Sequence, residues 1–580
     1  MCRKVILALA LLLPVLTVTP RAPTWADDVP PVSIQPALIQ THAPGFAADF
    51  LIARAAERRG DWVLAAQGYG QLAATEADNQ DFLLRQSILL LNGGAFEQAL
   101  EIARQLDAQS DNPHLARLMV FVDAARRQDL TAADAALSRI SDDGLGQYIK
   151  PFFAAWLMQA NGNQAQAYRL LEKLQSNSSL KPLAHFHIAL MAEQAGDMAR
   201  ARTNYAQLLL RNPTYRALTL TNAFFLRHGL TDRHTALLRA ARQGGLDLTE
   251  LDQLSAHTGQ EAALQVSSLR EGAAEIMFDI AMLLRGEGAN DVALPYLRLV
   301  LALRPDFAQA NLALNDLLVR FGQYDQAQQG YTALAGASDV ARQARLRLVE
   351  LQRQTGQLTA ARTALGQMMS EAQNWSAARQ QMGELEVQSG NLDAAVEAFS
   401  AGLDVLTADP PSALQSDLLF ARAQTYHQLS QFDAAVLDLQ AALKANPNDP
   451  ALLNYLGYLW AERGERLPEA EQLVSLALQQ RGDDPFIMDS MGWVYYRQGQ
   501  LDKAVYWLEK ASELKAYDPV INDHLGDVYW AQGRQMEARY QWQRALLYRG
   551  EEKQPLISIE ELRQKIATGP LFQQLSADRH

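Results

Sequence analysis

The chain has 580 residues, 48% of them hydrophobic, which is enough for one large core or several small ones. Lys and Arg number 52 against 65 Asp and Glu, a net charge of −13 with no strongly basic stretch, and this argues against nucleic acid as a partner. Cys2 is the only cysteine, so disulfide frameworks, thiolate catalysis and cysteine-based zinc sites are excluded from everything that follows it.

The N-terminus reads as an export signal. Arg3 and Lys4 precede an apolar run from Val5 to Val18, and Thr24-Trp25-Ala26 follows as a cleavage-type ending. The run of 14 residues falls short of the roughly 20 that cross a bilayer. The expectation is a signal peptide over residues 1–26, cut after Ala26, with an uncleaved anchor as the alternative. Cys2 lies ahead of the run, whereas lipid attachment needs a cysteine behind it, so lipidation is not expected. Loss of Arg3, Lys4 and Arg21 takes the charge to about −16. The expected destination is the periplasm, free or associated with the outer membrane. Residues 27–45, with four prolines, read as a flexible leader.

From there a repeat sets the reading. Turns of the form Gly-x-hydrophobic-x-x-Ala recur, as in "GDWVLA" at Gly60, "GAFEQA" at Gly94, "GDMARA" at Gly196 and "GQLDKA" at Gly499. The interval is 34 residues again and again, with Gln128 and Ser430 standing in slots where glycine is missing and a weak slot at Gly229. Apolar residues three and four apart flank each turn. That period means pairs of amphipathic helices, each ended by a residue in the left-handed region. One pair cannot bury its own apolar face, so about fourteen pairs are expected to stack on their neighbours.

The register divides the chain into an N-terminal block over 46–230, an irregular helical connection over 231–275 and a C-terminal block over 276–548. "LTADPPSALQSD", Leu406 to Asp417, reads as a longer loop. Residues 549–580 contain "SIEELRQKI", where Ser558 and Glu561 form a capping-box start for a closing helix, and then a loose tail.

The pattern resembles the tetratricopeptide repeat (TPR) family. Its Gly, Tyr, Ala, large-apolar and Ala positions fall on Gly492, Tyr495, Ala504, Leu508 and Ala511 in one unit. In the next unit they fall on Gly526, Tyr529, Ala538, Trp542 and Ala545. The resemblance spans roughly residues 46–548 and implies an all-α, right-handed solenoid. It also implies which residues are left over after packing, because in this family the first helix of each pair lines the concave wall. Those positions are Asn454 and Tyr458, then Phe486, Asp489, Trp493, Tyr496 and Arg497, then Asp523, Asp527 and Trp530. The resemblance therefore implies an aromatic and acidic groove near the C-terminal end. Co-chaperone members grip a carboxylate with Lys and Asn on this wall. Here Phe420, Asn454, Asp489 and Asp523 hold one of those positions, and Gln424, Tyr458, Trp493 and Asp527 the other. A neutral or basic extended peptide, or a partner helix, is the expected ligand.

Motifs of chemistry do not survive their context. "GYGQLA" at Gly68 spells a dinucleotide turn, but in mid-helix with no strand before it. Ser178 with Lys181 and Ser512 with Lys515 spell Ser-x-x-Lys without the Lys-Thr-Gly element that acyl-transfer sites need. His185 and His187 are two residues apart on a helix, so their rings point away from each other. No catalytic, metal or cofactor site is expected, and the chain reads as a non-enzyme. The C-terminal stretches "NYLGYLWAERGERLPEAEQLVSLALQQ" and "INDHLGDVYWAQGRQMEARYQWQRAL" resemble TPR proteins of Gram-negative envelopes. One member of that group is a lipoprotein adaptor that brings substrates to a periplasmic carboxyl-terminal processing protease, and this chain departs from it in lacking a lipobox cysteine. The implied function is an exported scaffold or adaptor presenting a concave groove to protein partners, with membrane association only through those partners. The alternative is a structural component of an envelope export or outer-membrane assembly machine.

Overall fold

The computed structural model describes residues 45–76, 79–108, 114–177, 180–208, 214–243, 266–336, 340–371, 375–406, 413–549 and 558–570. The expected signal peptide, most of the leader, residues 244–265 of the irregular connection and the final ten residues lie outside these. Among the described residues every regular element is an α-helix: fourteen pairs and one closing helix, an all-α solenoid.

Local chemistry explains the pairs. Each turn glycine of the repeat takes a left-handed φ, from +63° at Gly229 to +87° at Gly94. At Gln128 and Ser430, where glycine is missing, the backbone adopts the same conformation at φ 58° and 57°. The turn closes with two reversed hydrogen bonds. Gln500 N donates to Tyr495 O at 2.8 Å and Gly499 N to Tyr496 O at 2.9 Å, which satisfies carbonyls the helix end would otherwise orphan. Asp449, Asp484 and Asp518 cap the first helices of the last three pairs, each with proline at the next position.

Inside the pairs, glycine marks close crossing. A Cβ on Gly492 would come within 2.6 Å of Leu508 Cγ. Gly68, in the rejected dinucleotide spelling, lies within the helix Trp62–Thr75, where a Cβ would meet that of Ala53 at 2.8 Å. It is a packing glycine.

Contacts divide the described chain into two compact units, one reaching Leu351 and one starting at Gln352. In the N-terminal unit the seventh pair, Leu269–Gly286 and Asn290–Leu303, packs on the first helices of the second, third and fourth pairs (Gln80–Asn92, His114–Arg126 and Gly146–Ala160). Arg298 Nε donates to Asn92 O at 2.9 Å, and His114 Nε2 lies 3.2 Å from Tyr296 Oη. Gly272 sits so close on the Trp156 ring that no Cβ would fit. The eighth pair reaches the first: Gln323 Nε2 donates to Gly60 O at 3.0 Å, and the Trp62 and Phe321 rings are 5.8 Å apart. Buried Glu275 receives Arg216 Nε and Arg304 Nη1, each at 3.0 Å. The expectation of a concave groove does not extend to this part of the unit. The inner wall of pairs two to four is covered by the chain itself, because both helices of the seventh pair bury apolar surface there.

The C-terminal unit differs. The helix Pro485–Arg497 touches both Pro450–Arg463 and Pro519–Ala531 directly, with the second helices Leu467–Gln480, Leu501–Leu514 and Gln535–Tyr548 stacked behind. First helices in mutual contact form the inner wall of a curved stack. The closing helix Ile559–Thr568 starts on Ser558, whose Oγ accepts from Glu561 N at 3.4 Å, and packs against Gln535–Tyr548. Of the expected loop Leu406 to Asp417, residues 407–412 lie outside the described residues. Its last five already belong to the helix Ala413–Gln428.

Candidate functional site

The inner wall of the C-terminal unit brings together most of the residues singled out in the sequence. Trp493 stacks on His524 with ring centres 4.1 Å apart and planes at 21°, and Tyr496 lies 5.0 Å from Trp493. The Tyr458 ring lies 6.3 Å from His524. Asn454 is one helical turn before Tyr458 on Pro450–Arg463. Tyr458, Trp493, Tyr496 and Asn454 are all half-buried. Flat rings in such a setting offer large contact area at low cost in side-chain entropy.

Beneath the rings lies a charge cluster. Asp489, Asp523 and Asp527 are only 6%, 8% and 9% exposed. His524 Nδ1 lies 3.0 Å from both Asp489 oxygens, the geometry of a ring N–H donating to the carboxylate. Lys565, reaching in from the closing helix, donates at 2.9 Å to both oxygens of Asp523 and to one of Asp527. Trp542 Nε1 donates to the other Asp527 oxygen at 3.0 Å. The expected acidic groove is corrected: its carboxylates are buried and satisfied within the protein, since unpaired charge in a desolvated site is costly.

The balance among these groups is uneven, with one ammonium serving two carboxylates. Burial pushes the Asp527 carboxyl up to about 6, with the Asp523 charge adding to the rise and Lys565 opposing it. Burial of Lys565 acts against its charge, but Asp527 and Asp523 outweigh it and hold the ammonium above its ordinary range. For His524 burial likewise favours the neutral ring, yet Asp489 and then Asp523 and Asp527 raise it above the usual histidine value. Burial foremost raises the Tyr458 and Tyr496 phenols, so both are hydrogen-bonding neutral groups.

Three predicted residues stand apart from the cluster. Phe486 is 47% exposed and lies under Lys515 Nζ at 4.0 Å. Arg497 donates to the Glu462 carbonyl and packs at the Gly464 turn of the preceding pair. Trp530 lies against Trp542, at 5.5 Å, with Gly569 on its ring and Arg539 above it at 5.1 Å.

Sequence reasoning missed His524 and Lys565. His524 follows directly on Asp523 but is outside the positions that the resemblance places on the concave wall. Lys565 carried a signal: it sits between Leu562 and Ile566 on the apolar face of a helix, where a cation needs a buried anion. Elsewhere, His187 accepts from Trp156 Nε1 at 3.0 Å and is wholly buried. His185 instead meets Asn204 at 2.8 Å, so the two rings do diverge. Ser178 lies outside the described residues. Ser512 is buried and Lys515 faces Phe486.

Two family models match. One, a TPR repeat, covers residues 492–533, and the other, a tetratricopeptide repeat, covers 312–374 and 420–485. The TPR repeat-containing protein PA4667 of Pseudomonas aeruginosa is 37% identical over 95 residues, which is 16% of each chain. Among solved structures, the Cut9 and Hcn1 hetero-tetramer of the APC/C matches over 91% of this chain and 97% of that one, at 14% identity and a TM-score of 0.39. A tetratricopeptide repeat protein from Parabacteroides merdae matches over 45% and 97%, at 17% and 0.36. YrrB, a TPR protein with an unusual peptide-binding site, matches over 31% and 88%, at 19% and 0.26. The helix pairs and their left-handed turns make the described chain an all-α solenoid, and residues 312–374, 420–485 and 492–533 of it match tetratricopeptide repeat models.

Proposed function

We propose that the chain is an exported scaffold or adaptor of the bacterial cell envelope that holds a protein partner on the inner wall of its C-terminal unit. The observation that carries this reading is the half-buried aromatic run Tyr458, Trp493 and Tyr496, set over buried and fully partnered charges. Such a wall offers contact area and hydrogen-bonding phenols but no reactive group. The signal-like N-terminus supports the envelope location. Delivery of substrates to a periplasmic carboxyl-terminal processing protease is the specific role the C-terminal resemblance suggests.

The test is recovery of the tagged full chain from the envelope, with bound proteins identified by mass. Trp493→Ala combined with Tyr496→Ala is expected to lower partner recovery about tenfold, the loss of one aromatic hot spot, with helix content unchanged by circular dichroism. Unchanged recovery removes the wall as the binding surface. A co-recovered processing protease whose substrate turnover slows when the chain is deleted supports the adaptor role. A co-recovered outer-membrane barrel with blocked export and normal proteolysis supports the structural alternative instead.

A further inference from the structure

The inner wall of the last pair is already occupied. The closing helix places Leu562 among Leu525, Tyr529 and Trp542, and Lys565 between Asp523 and Asp527. Ile566 O accepts from Arg539 Nε at 3.0 Å, and Gly569 follows directly onto the Trp530 ring. Leu and Lys three residues apart project from one face of a helix. The seat is thus a matched recess: an apolar floor for the leucine, a pair of carboxylates for the ammonium and an indole shelf beyond.

We propose that this seat is a lysine-reading socket for a partner's amphipathic helix, and that the closing helix is the chain's built-in competitor for it. The inference rests on the reading that the C-terminal wall receives a protein partner. Charge complementarity selects the occupant. Two buried aspartates share one ammonium, so a helix without a cation at this position would leave both uncompensated. An acidic segment is repelled, and a neutral one cannot satisfy the site. Displacement of the closing helix exposes Asp523, Asp527 and Trp530 together, which extends the wall formed by Tyr458, Trp493 and Tyr496 by one pair.

The probe is a labelled synthetic peptide with the sequence of residues 556–570, titrated into the full chain. Lys565→Ala removes the counter-ion and Leu562→Ala the apolar anchor, so either variant loosens the closing helix by a different route. Both are expected to bind the peptide at least about tenfold more tightly than the unaltered chain, in which the seat is filled. A peptide with alanine in place of its lysine should lose at least about tenfold in affinity. Asp523→Asn with Asp527→Asn, added to Lys565→Ala, should abolish binding. Equal affinity for the unaltered and both loosened chains overturns the proposal, as does a peptide indifferent to its lysine. Sedimentation of the unaltered chain tests a second copy as occupant. A dimer that Lys565→Ala dissolves would mean exchange of the closing helix between copies and would also overturn it. If Trp493→Ala with Tyr496→Ala leaves partner recovery unchanged while the peptide still binds, the proposed function fails and the socket stands.

Discussion

At the scale of single residues, the two non-glycine turns report the cost of a backbone conformation. Gln128 and Ser430 are exposed and left-handed, where an L side chain crowds its own carbonyl. Ser430→Gly and Gln128→Gly should each stabilise the fold by about 0.5–1 kcal/mol, read from the midpoint of urea unfolding. The buried charges give a pH dependence. Asp527 binds its proton more tightly folded than unfolded, so its ionisation opposes folding once the pH rises from about 4 through about 6. His524 is raised, so its stabilisation is complete below the ordinary histidine value and lost as the pH climbs through the folded one. Both effects have one sign. The C-terminal unit should be more resistant to urea at pH 5 than at pH 7.5. Asp527→Asn, whose amide oxygen can still accept from Trp542 Nε1, should flatten that slope. The sequence revealed the carboxylates but not their fate. Position on the first helix predicts which residues face inward, whereas Lys565 arrives from a helix 38 residues further on.

At the scale of elements, the reading was most faithful. Turn slots at Gln128, Gly229 and Ser430 were legible because a left-handed residue near the repeat spacing ends the first helix whether or not it is glycine. Close helix crossings were legible too, since only glycine fits where Leu508 presses on Gly492. Gly492→Ala is expected to cost about 1–3 kcal/mol by overpacking, measured by chemical denaturation. The segment before the seventh pair was harder. Its first helix begins at Leu269 on a Ser268 cap, seven residues ahead of the expected block start at 276. "SSLREGAAE" carries its cap and acidic first turn outside the 34-residue register, so the ruler passed over it. The loop after Leu406 was also read too long, because Pro410 and Pro411 signal a break but not where the next helix resumes.

At the scale of the whole chain, the repeat predicted how neighbours stack but not which distant pairs would meet. Contacts such as Arg298 with Asn92, 206 residues apart, leave no periodic trace. Glu275, holding Arg216 and Arg304, joins three elements of the N-terminal unit in one buried ionic knot. Glu275→Ala takes the buried carboxylate away from two guanidiniums beside Phe307 and should destabilise that unit by about 3–5 kcal/mol, seen as earlier unfolding in urea and loss of amide-exchange protection over residues 269–303. The return of the seventh pair onto the second, third and fourth has a bearing on descent as well as on stability. An open stack tolerates the duplication or deletion of a rung, because each rung answers only to the next. Here one added rung between the fourth pair and the seventh would carry Gly272 away from Trp156 and Arg298 away from Asn92 together. Copy number in this stretch is thereby locked, much as a closed ring fixes its own membership, and lineages of this protein should vary in rung count only outside it.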